Sequence, residues 1–362
     1  MTHSATFSGY AAQLREFIRA GVSGDERFNH LAGELFRLQF THNAAYRRFC
    51  EARGISPDKI SDWRQIPAMP TAAFKELEVT SLPVEQRARA FHSSGTTAQR
   101  PSRHFHNADS LAIYEASLLP WFRQHLLPEA GRADFLFLTP SPEQSPNSSL
   151  VHMFETVSRE FGLGEALFCG MALSDGAWEL DWELTRTSLE NAIASNRPLI
   201  VLGTAFNFVH LTDRMQGDNL RLKLPVGSRA METGGYKGRS REMAKTELHA
   251  FISHSLGISP ANIICEYGMS ELSSQAYDGV VGNGQARRFH FPPWARVQIV
   301  SPETGREAAE GETGLIRIFD LANVYSVMAI QMEDLGARRG DGFELLGRVA
   351  LAESRGCSLQ SA

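Results

Sequence analysis

A chain of 362 residues, 43% apolar and 21% charged, carries enough apolar side chain for a substantial core in one large or two ordinary domains. Its formal charge of −5 lacks the basic excess of a general nucleic-acid binder, so no nucleic-acid partner is expected. The most apolar run, 198–211, is broken by Gly203, Asn207 and His210 and falls short of the ~18 residues of a membrane helix; with no signal-peptide pattern at the start, the expected compartment is the cytoplasm and no membrane span is expected.

In chain order, Leu14, Phe17 and Ile18, then Phe28, Leu31, Leu35 and Leu38, fall at helical spacing. Gly54 is the expected stop of the second helix. The proline-punctuated link 66–71 leads to a short helix over 73–77. Phe135 to Leu138 is expected as a buried strand, 151–161 as a helix, and Leu199 to Leu202 as a strand ended by Gly203. A helix begins near Phe206, and 240–256 reads as an amphipathic helix through Met243, Leu248, Phe251 and Ile252. Asn262 to Cys265 then reads as a strand running into a Tyr267-Gly268 turn. This alternation argues for an α/β domain with ligand loops at the carboxyl ends of its strands. Beyond Phe289 the expected strands are 297–300, 315–319, 325–330 and 343–346. Turns at 303–305 and 341–342 make this part a small antiparallel sheet or distorted barrel.

The four cysteines form no C-x-x-C pair, which argues against a zinc site and a disulfide scaffold. Cys50, Cys169 and Cys265 sit in apolar surroundings and read as small buried hydrophobes. Cys357 stands apart, beside Arg355 in a segment with glycine and serine, where a neighbouring cation favours the nucleophilic thiolate.

Four short motifs carry the chemistry. Ser93-Ser94-Gly95-Thr96-Thr97 packs hydroxyls around a glycine; glycine lets backbone approach a phosphate, and the hydroxyls and N–H groups donate to its oxygens. It is not a Walker loop, which needs G-x-x-x-x-G-K-[ST]. Met231 to Tyr236 sets the pair Gly234-Gly235 beside the flat ring of Tyr236. Tyr267-Gly268-Met269-Ser270-Glu271 ends an expected strand with a ring, a hydroxyl and a carboxylate, a set that suits a nucleotide and a divalent cation. Asp334 offers a carboxylate to ribose hydroxyls, and Gly347-Arg348 follows it. Each motif alone is also an ordinary solvated turn.

Their order and spacing together resemble the adenylate-forming superfamily of acyl-CoA ligases and peptide-synthetase adenylation domains. The resemblance implies that Ser94, Gly95, Thr96 and Thr97 bind pyrophosphate, that Gly234, Gly235 and Tyr236 flank adenine, and that Tyr267, Gly268 and Ser270 face the α-phosphate. It further implies Mg²⁺ on Glu271, ribose on Asp334, and a role for Arg348 as the arginine following that aspartate. ATP and Mg²⁺ are thus the expected cofactors. Within the superfamily the chain is most similar to LuxE-type acyl-protein synthetases over nearly its whole length. The closest passages are 91–97, 148–153 and 347–359.

That family resemblance implies an enzyme that activates a fatty acid as acyl-AMP, captures the acyl group on Cys357, and passes it to a LuxC-like acyl reductase. It implies a helical lead-in over 1–85, an adenylation core over 86–346, and a hinge-like segment with a mobile tail over 347–362. Two departures stand out. The phosphate loop continues Ala98-Gln99-Arg100-Pro101 without the superfamily's glycine and lysine, so Arg100 or Arg103 is the expected source of positive charge. The chain also stops soon after Arg348, where most superfamily members add a small domain with a catalytic lysine. Nine residues separate Arg348 from Cys357, a reach of about 30 Å when extended. An acyl pocket is expected near Phe206, Phe208 and Tyr236, residues that read equally well as core. The alternatives are an acyl-CoA or acyl-carrier-protein ligase of the phenylacetate-CoA ligase type, and a degenerate nucleotide-binding subunit. Acyl chain length and oligomeric state stay open.

Overall fold

Apolar residues three and four apart build the first helices, α1 (Phe7–Ala20), α2 (Asp25–His42) and α3 (Ala44–Glu51). The computed structural model describes residues 6–22, 24–93, 100–129, 131–173, 177–234 and 243–348. The expected second helix is in fact two. Asn43 leaves the helical conformation, and its side chain accepts from Tyr46 N to start α3, as a short polar side chain does at an N-cap. Gly54, at φ +66°, follows α3 instead of ending α2.

Next come β1 (Met69–Pro70), α4 (Ala73–Glu76), and the antiparallel pair β2 (Arg89–His92) and β3 (Arg103–His106). After α5 (Ala108–Leu126), strands and helices alternate: β4 (Asp134–Phe137), α6 (Ser149–Phe161), β5 (Leu167–Phe168), the hairpin β6 (Gly170–Ala172) and β7 (Trp178–Leu180), α7 (Trp182–Ala194), β8 (Leu199–Thr204), α8 (Ala205–Gly217), β9 (Arg229–Thr233), α9 (Lys245–Leu256), β10 (Ile263–Tyr267) and β11 (Ala276–Tyr277). Among the described residues the large sheet has the order β11-β10-β9-β8-β4-β5. All its pairings are parallel except β10 with β11. It is covered on both faces, as parallel sheets require. Phe208, Leu211 and Ile252 line one face, and Phe122, Phe137 and Phe154 the other.

Two boundaries differ from expectation. Strand β8 runs through Gly203 to Thr204, because a Cβ at Gly203 would press on Leu138; the glycine serves close packing and does not break the strand. Helix α9 starts at Lys245, with Met243 and Ala244 outside it.

The last part forms a second sheet from β12 (Ala295–Val300), β13 (Thr313–Asp320), β14 (Ala329–Arg339) and β15 (Gly342–Arg348). These strands pair antiparallel, and β1 adds in parallel to the edge of β14. Residues 325–328 form turn structure ahead of β14 instead of its first half. Asp334 therefore lies in mid-strand, not in a turn. Helices α1–α3 share one core with this sheet, from Phe28 and Tyr46 to Ile318 and Ile330. Gln39 of α2 ties the turn down: its Nε2 donates to Asn323 O at 2.7 Å, and its Oε1 accepts from Met328 N at 3.0 Å.

Candidate active site

The site forms where the carboxyl end of β10 meets the second sheet. Tyr267 ends the strand, and a Cβ at the following Gly268 would press on Glu266 Oε1. The Tyr267 ring is buried among Phe289, Phe291 and Phe343 at centroid distances of 6.0, 6.3 and 5.8 Å. Its hydroxyl donates to Asp334 Oδ2 at 2.8 Å. Burial, reinforced by the Asp334 charge, raises the phenol well above its ordinary value, so it stays a neutral donor. Arg348 stands opposite Asp334 across the β14–β15 pair, and its Nε donates to Asp334 Oδ1 at 2.7 Å. Both carboxylate oxygens are engaged, yet each keeps a further lone pair for a ligand hydroxyl. The Arg348 side chain is 61% exposed, against 7% for Asp334.

One turn further, Ser270 and Glu271 are both buried, and Ser270 Oγ donates to Glu271 Oε2 at 2.9 Å. Two clamps hold this turn. From β3, His104 Nδ1 lies 2.9 Å from the Ser270 carbonyl, and Ser102 Oγ, just before the strand, lies 3.4 Å from Ser270 Oγ. From the end of β13, Asp320 accepts from Ser273 N, Ser274 N and Ser274 Oγ at 2.9, 2.8 and 2.7 Å. Asn323 Nδ2 donates to Glu271 O at 2.9 Å. A hydrogen-bonded relay extends this second clamp: Trp294 Nε1 donates to Ser117 Oγ at 2.7 Å, and Ser117 Oγ lies 2.9 Å from Ser274 Oγ.

The parallel register brings the other strand ends alongside. Thr233 pairs with Thr204 on one side and with Glu266 on the other, and its hydroxyl donates to Glu266 Oε2. Burial pushes the Glu266 carboxyl up to about 7, with Glu232 adding to the rise and the Thr233 hydrogen bond opposing it. Gly234 follows at φ +70°, a left-handed conformation that suits glycine. Ser93 and Ser102 close the stem of the β2–β3 pair: Ser93 N donates to Ser102 O at 3.3 Å, and Ser102 N to Ser93 Oγ at 3.0 Å. Ser94, Gly95, Thr96, Thr97, Gly235, Tyr236 and Cys357 lie outside the described residues. Of the two arginines proposed beside the stem, Arg103 pairs with Glu78 at 3.7 Å and Arg100 is exposed.

The structure thus brings together Tyr267, Gly268, Ser270, Glu271, Asp334 and Arg348. Phe208 belongs to the core under β8, which removes it from the expected acyl pocket. Sequence reasoning passed over Ser102, Asp320, Asn323 and Glu266. The alternation Ser102, His104, His106, all buried in and just before β3, was the available signal: polar residues at strand period pointing inward. Among the described residues no group of three His, Cys, Asp or Glu gathers as a metal site. The hard oxygens of Glu271 and its neighbour Ser270 fit Mg²⁺, which takes one or two carboxylates and completes its shell with substrate phosphates and water. Cys50, Cys169 and Cys265 are buried. Burial pushes their thiols up, to about 12 for Cys50, about 11 for Cys169 and well above the ordinary value for Cys265; none is a nucleophile at neutral pH. A cavity of about 280 Å³ beside Asp134, Arg197 and Leu199 opens at the amino ends of β4 and β8, away from this site.

Known proteins match most of this chain. The family model described as "Acyl-protein synthetase, LuxE" matches residues 24–361. The chain is 22% identical over 344 residues to a long-chain-fatty-acid–luciferin-component ligase of Aliivibrio fischeri, covering 92% of this chain and 87% of that one. It is also 22% identical over 339 residues to the protein of the same description from Vibrio harveyi, covering 90% and 84%. Among solved structures, 2-hydroxyisobutyryl-CoA ligase in its postadenylation state with 2-HIB-AMP superposes with a TM-score of 0.65 at 12% identity, covering 90% of this chain and 68% of that one. The expected α/β architecture of an adenylate-forming ligase is therefore the observed one.

Proposed function

This chain belongs to the LuxE acyl-protein synthetase family, and from that premise we propose that it activates a long-chain fatty acid with ATP and captures the acyl group on Cys357. The observation that carries the reading is the junction at Tyr267 to Glu271. There a buried hydroxyl–carboxylate pair, Ser270 and Glu271, sits in the turn after β10, and Tyr267 at the end of that strand reaches across to Asp334 and Arg348 on the second sheet.

In the first half-reaction a carboxylate oxygen of the fatty acid attacks the α-phosphorus of ATP. The bond to the β-phosphate oxygen breaks, leaving acyl-AMP and pyrophosphate. Asp334 accepts from the ribose hydroxyls, held in place by Tyr267 and Arg348. Ser270 donates toward the α-phosphate, and Gly234 with Gly235 and Tyr236 borders the adenine. Ser94, Gly95, Thr96 and Thr97 supply donors to the leaving pyrophosphate. Glu271 would hold Mg²⁺, which when bound neutralises phosphate charge. The protein's contribution is position and preorganised donors. In the second half-reaction the Cys357 thiolate attacks the acyl carbon, the carbon–oxygen bond to AMP breaks, and a thioester remains. An acyl reductase of the LuxC kind is the proposed acceptor, in keeping with the luciferin-component ligases named among the relatives.

The test is intact-protein mass spectrometry after incubation with MgATP and tetradecanoic acid. A mass increase of one acyl group, sensitive to hydroxylamine and absent in Cys357→Ser, is the expected result. Coenzyme-A-dependent turnover by Cys357→Ser would instead make the protein an acyl-CoA ligase. Acid-dependent ATP–pyrophosphate exchange should fall about a hundredfold or more in Glu271→Ala, since loss of even an outer partner of a metal costs ~10–100-fold. Undiminished exchange in that variant would remove Glu271 from the chemistry.

A further inference from the structure

We propose that His104 is a positioning residue for adenylation, whose imidazole N–H fixes the Ser270 carbonyl and so sets the β2–β3 hairpin in register with the turn that carries Glu271. The inference rests on the adenylation reading above and adds a residue to it that touches no reacting atom.

Geometry carries the argument. His104 lies on β3 opposite Phe91 and is 3% exposed. Its Nδ1 is 2.9 Å from Ser270 O. A carbonyl oxygen only accepts, so Nδ1 carries the hydrogen and the ring is in its Nδ1–H tautomer. Phe74 and His106 flank the ring, with centroids at 6.3 and 4.1 Å, which fixes its plane. Two residues back on the same strand face, Ser102 meets the Ser270 hydroxyl, which in turn donates to Glu271 Oε2. Strand β3 and the residue just before it therefore hold Ser270 at its carbonyl and its hydroxyl.

The opposite flank of the turn is already held by Asp320 and Asn323. Those bonds fix Ser273, Ser274 and the Glu271 carbonyl to the second sheet. Only the His104 and Ser102 contacts, among the bonds described, connect the turn to the hairpin. A packing role alone would ask for shape; this one asks for a hydrogen at one defined atom.

The distinguishing experiment replaces the donor and then returns it. In full-length protein, His104→Leu should lower kcat for tetradecanoate-dependent ATP–pyrophosphate exchange about tenfold or more, while KM for ATP moves by less than about threefold, the split expected when positioning rather than ground-state binding is lost. His104→Asn places an amide N–H at the distance of Nδ1 from the backbone and should restore most of that loss. His104→Gln, which sets its amide one carbon further out, should not; it also supplies the comparison if the leucine variant does not fold. Melting temperatures of all three are recorded beside the rates. Equal rates in the Asn and Gln variants, or losses that track the melting temperature alone, overturn the proposal. Glu271→Ala, run in the same series, separates the two levels. If it abolishes exchange while the His104 variants match the wild type, only the positioning role falls; if the wild type itself shows no exchange, adenylation falls and the positioning role with it.

Discussion

The two sheets each bury a carboxylate at the site, and they treat it in opposite ways. Glu266 on the parallel sheet and Asp334 on the antiparallel one are equally hidden, at 4% and 5% exposure. Glu266 has a neutral hydroxyl partner in Thr233 and a like charge in Glu232, and is pushed up to about 7. Asp334 has a guanidinium on one oxygen and a phenol on the other. Burial alone therefore does not decide what a carboxylate does; its partners decide. The parallel sheet uses its acid to tie two strand ends together. The antiparallel sheet keeps its acid beside a cation, ready to accept hydrogen bonds from a ligand.

This contrast can be broken by experiment. The largest effect is expected for Asp334→Asn, which takes the charged partner from Arg348 and weakens the proposed ribose grip. Hydrogen bonds to a charged group contribute ~1.5–3 kcal/mol, so KM for ATP in the exchange assay should rise about tenfold or more. An unchanged KM would reduce the second sheet to scaffold.

Next in size is Glu266→Gln, read by stability and not by rate. The folded protein holds the Glu266 proton to about pH 7, whereas the unfolded chain releases it near ~4.3. The folded state therefore binds more protons, and stability is lost as pH rises from the unfolded value through about 7. The neutral glutamine lacks this loss, so its melting temperature should gain on the wild type between pH 6 and pH 8, by an equivalent of about 1 kcal/mol. His104, His125 and His152, each lowered to about 4 by burial, make both proteins less stable as pH falls below the ordinary histidine range, and cancel in the difference. A constant gap between variant and wild type would show that Glu266 is charged in the fold at every pH tested.

The smallest effect should come from Tyr267→Phe. It removes one donor that does not itself meet the nucleotide, so only part of that bond's ~1.5–3 kcal/mol should reach binding, while the ring keeps its place among Phe289, Phe291 and Phe343. KM for ATP should rise by roughly threefold to fivefold. A loss as large as that of Asp334→Asn would mean that the hydroxyl itself meets the nucleotide.

Much of this was legible in the sequence because local rules govern it. Runs such as Phe135 to Phe137 and Leu199 to Leu202 are strands since apolar β-stretches in an alternating chain have few other fates, and the Tyr267–Glu271 turn was placed by the strand before it. The errors came from residues whose role depends on a distant neighbour. Gly203 reads as a stop, yet Leu138 makes it a packing position. Asn43 reads as mid-helix, yet it caps α3. Asp334 reads as a turn residue because nothing local reveals its pairing with Arg348. Asp320 lies 46 residues from the serines it holds, and His104 lies 166 from Ser270; such contacts exist only once the sheets have met.

The relay from Trp294 through Ser117 and Ser274 to Asp320 has a consequence for how the molecule comes into being. Its members enter the chain on a helix, a turn, an irregular segment and a strand end, 203 positions apart between Ser117 and Asp320. Closing such wide loops is slow because their entropy is lost before any contact rewards it. The reactive turn is therefore among the last features to set during refolding. Recovery of activity should lag behind recovery of helical circular dichroism, and no fragment holding a single sheet should be active.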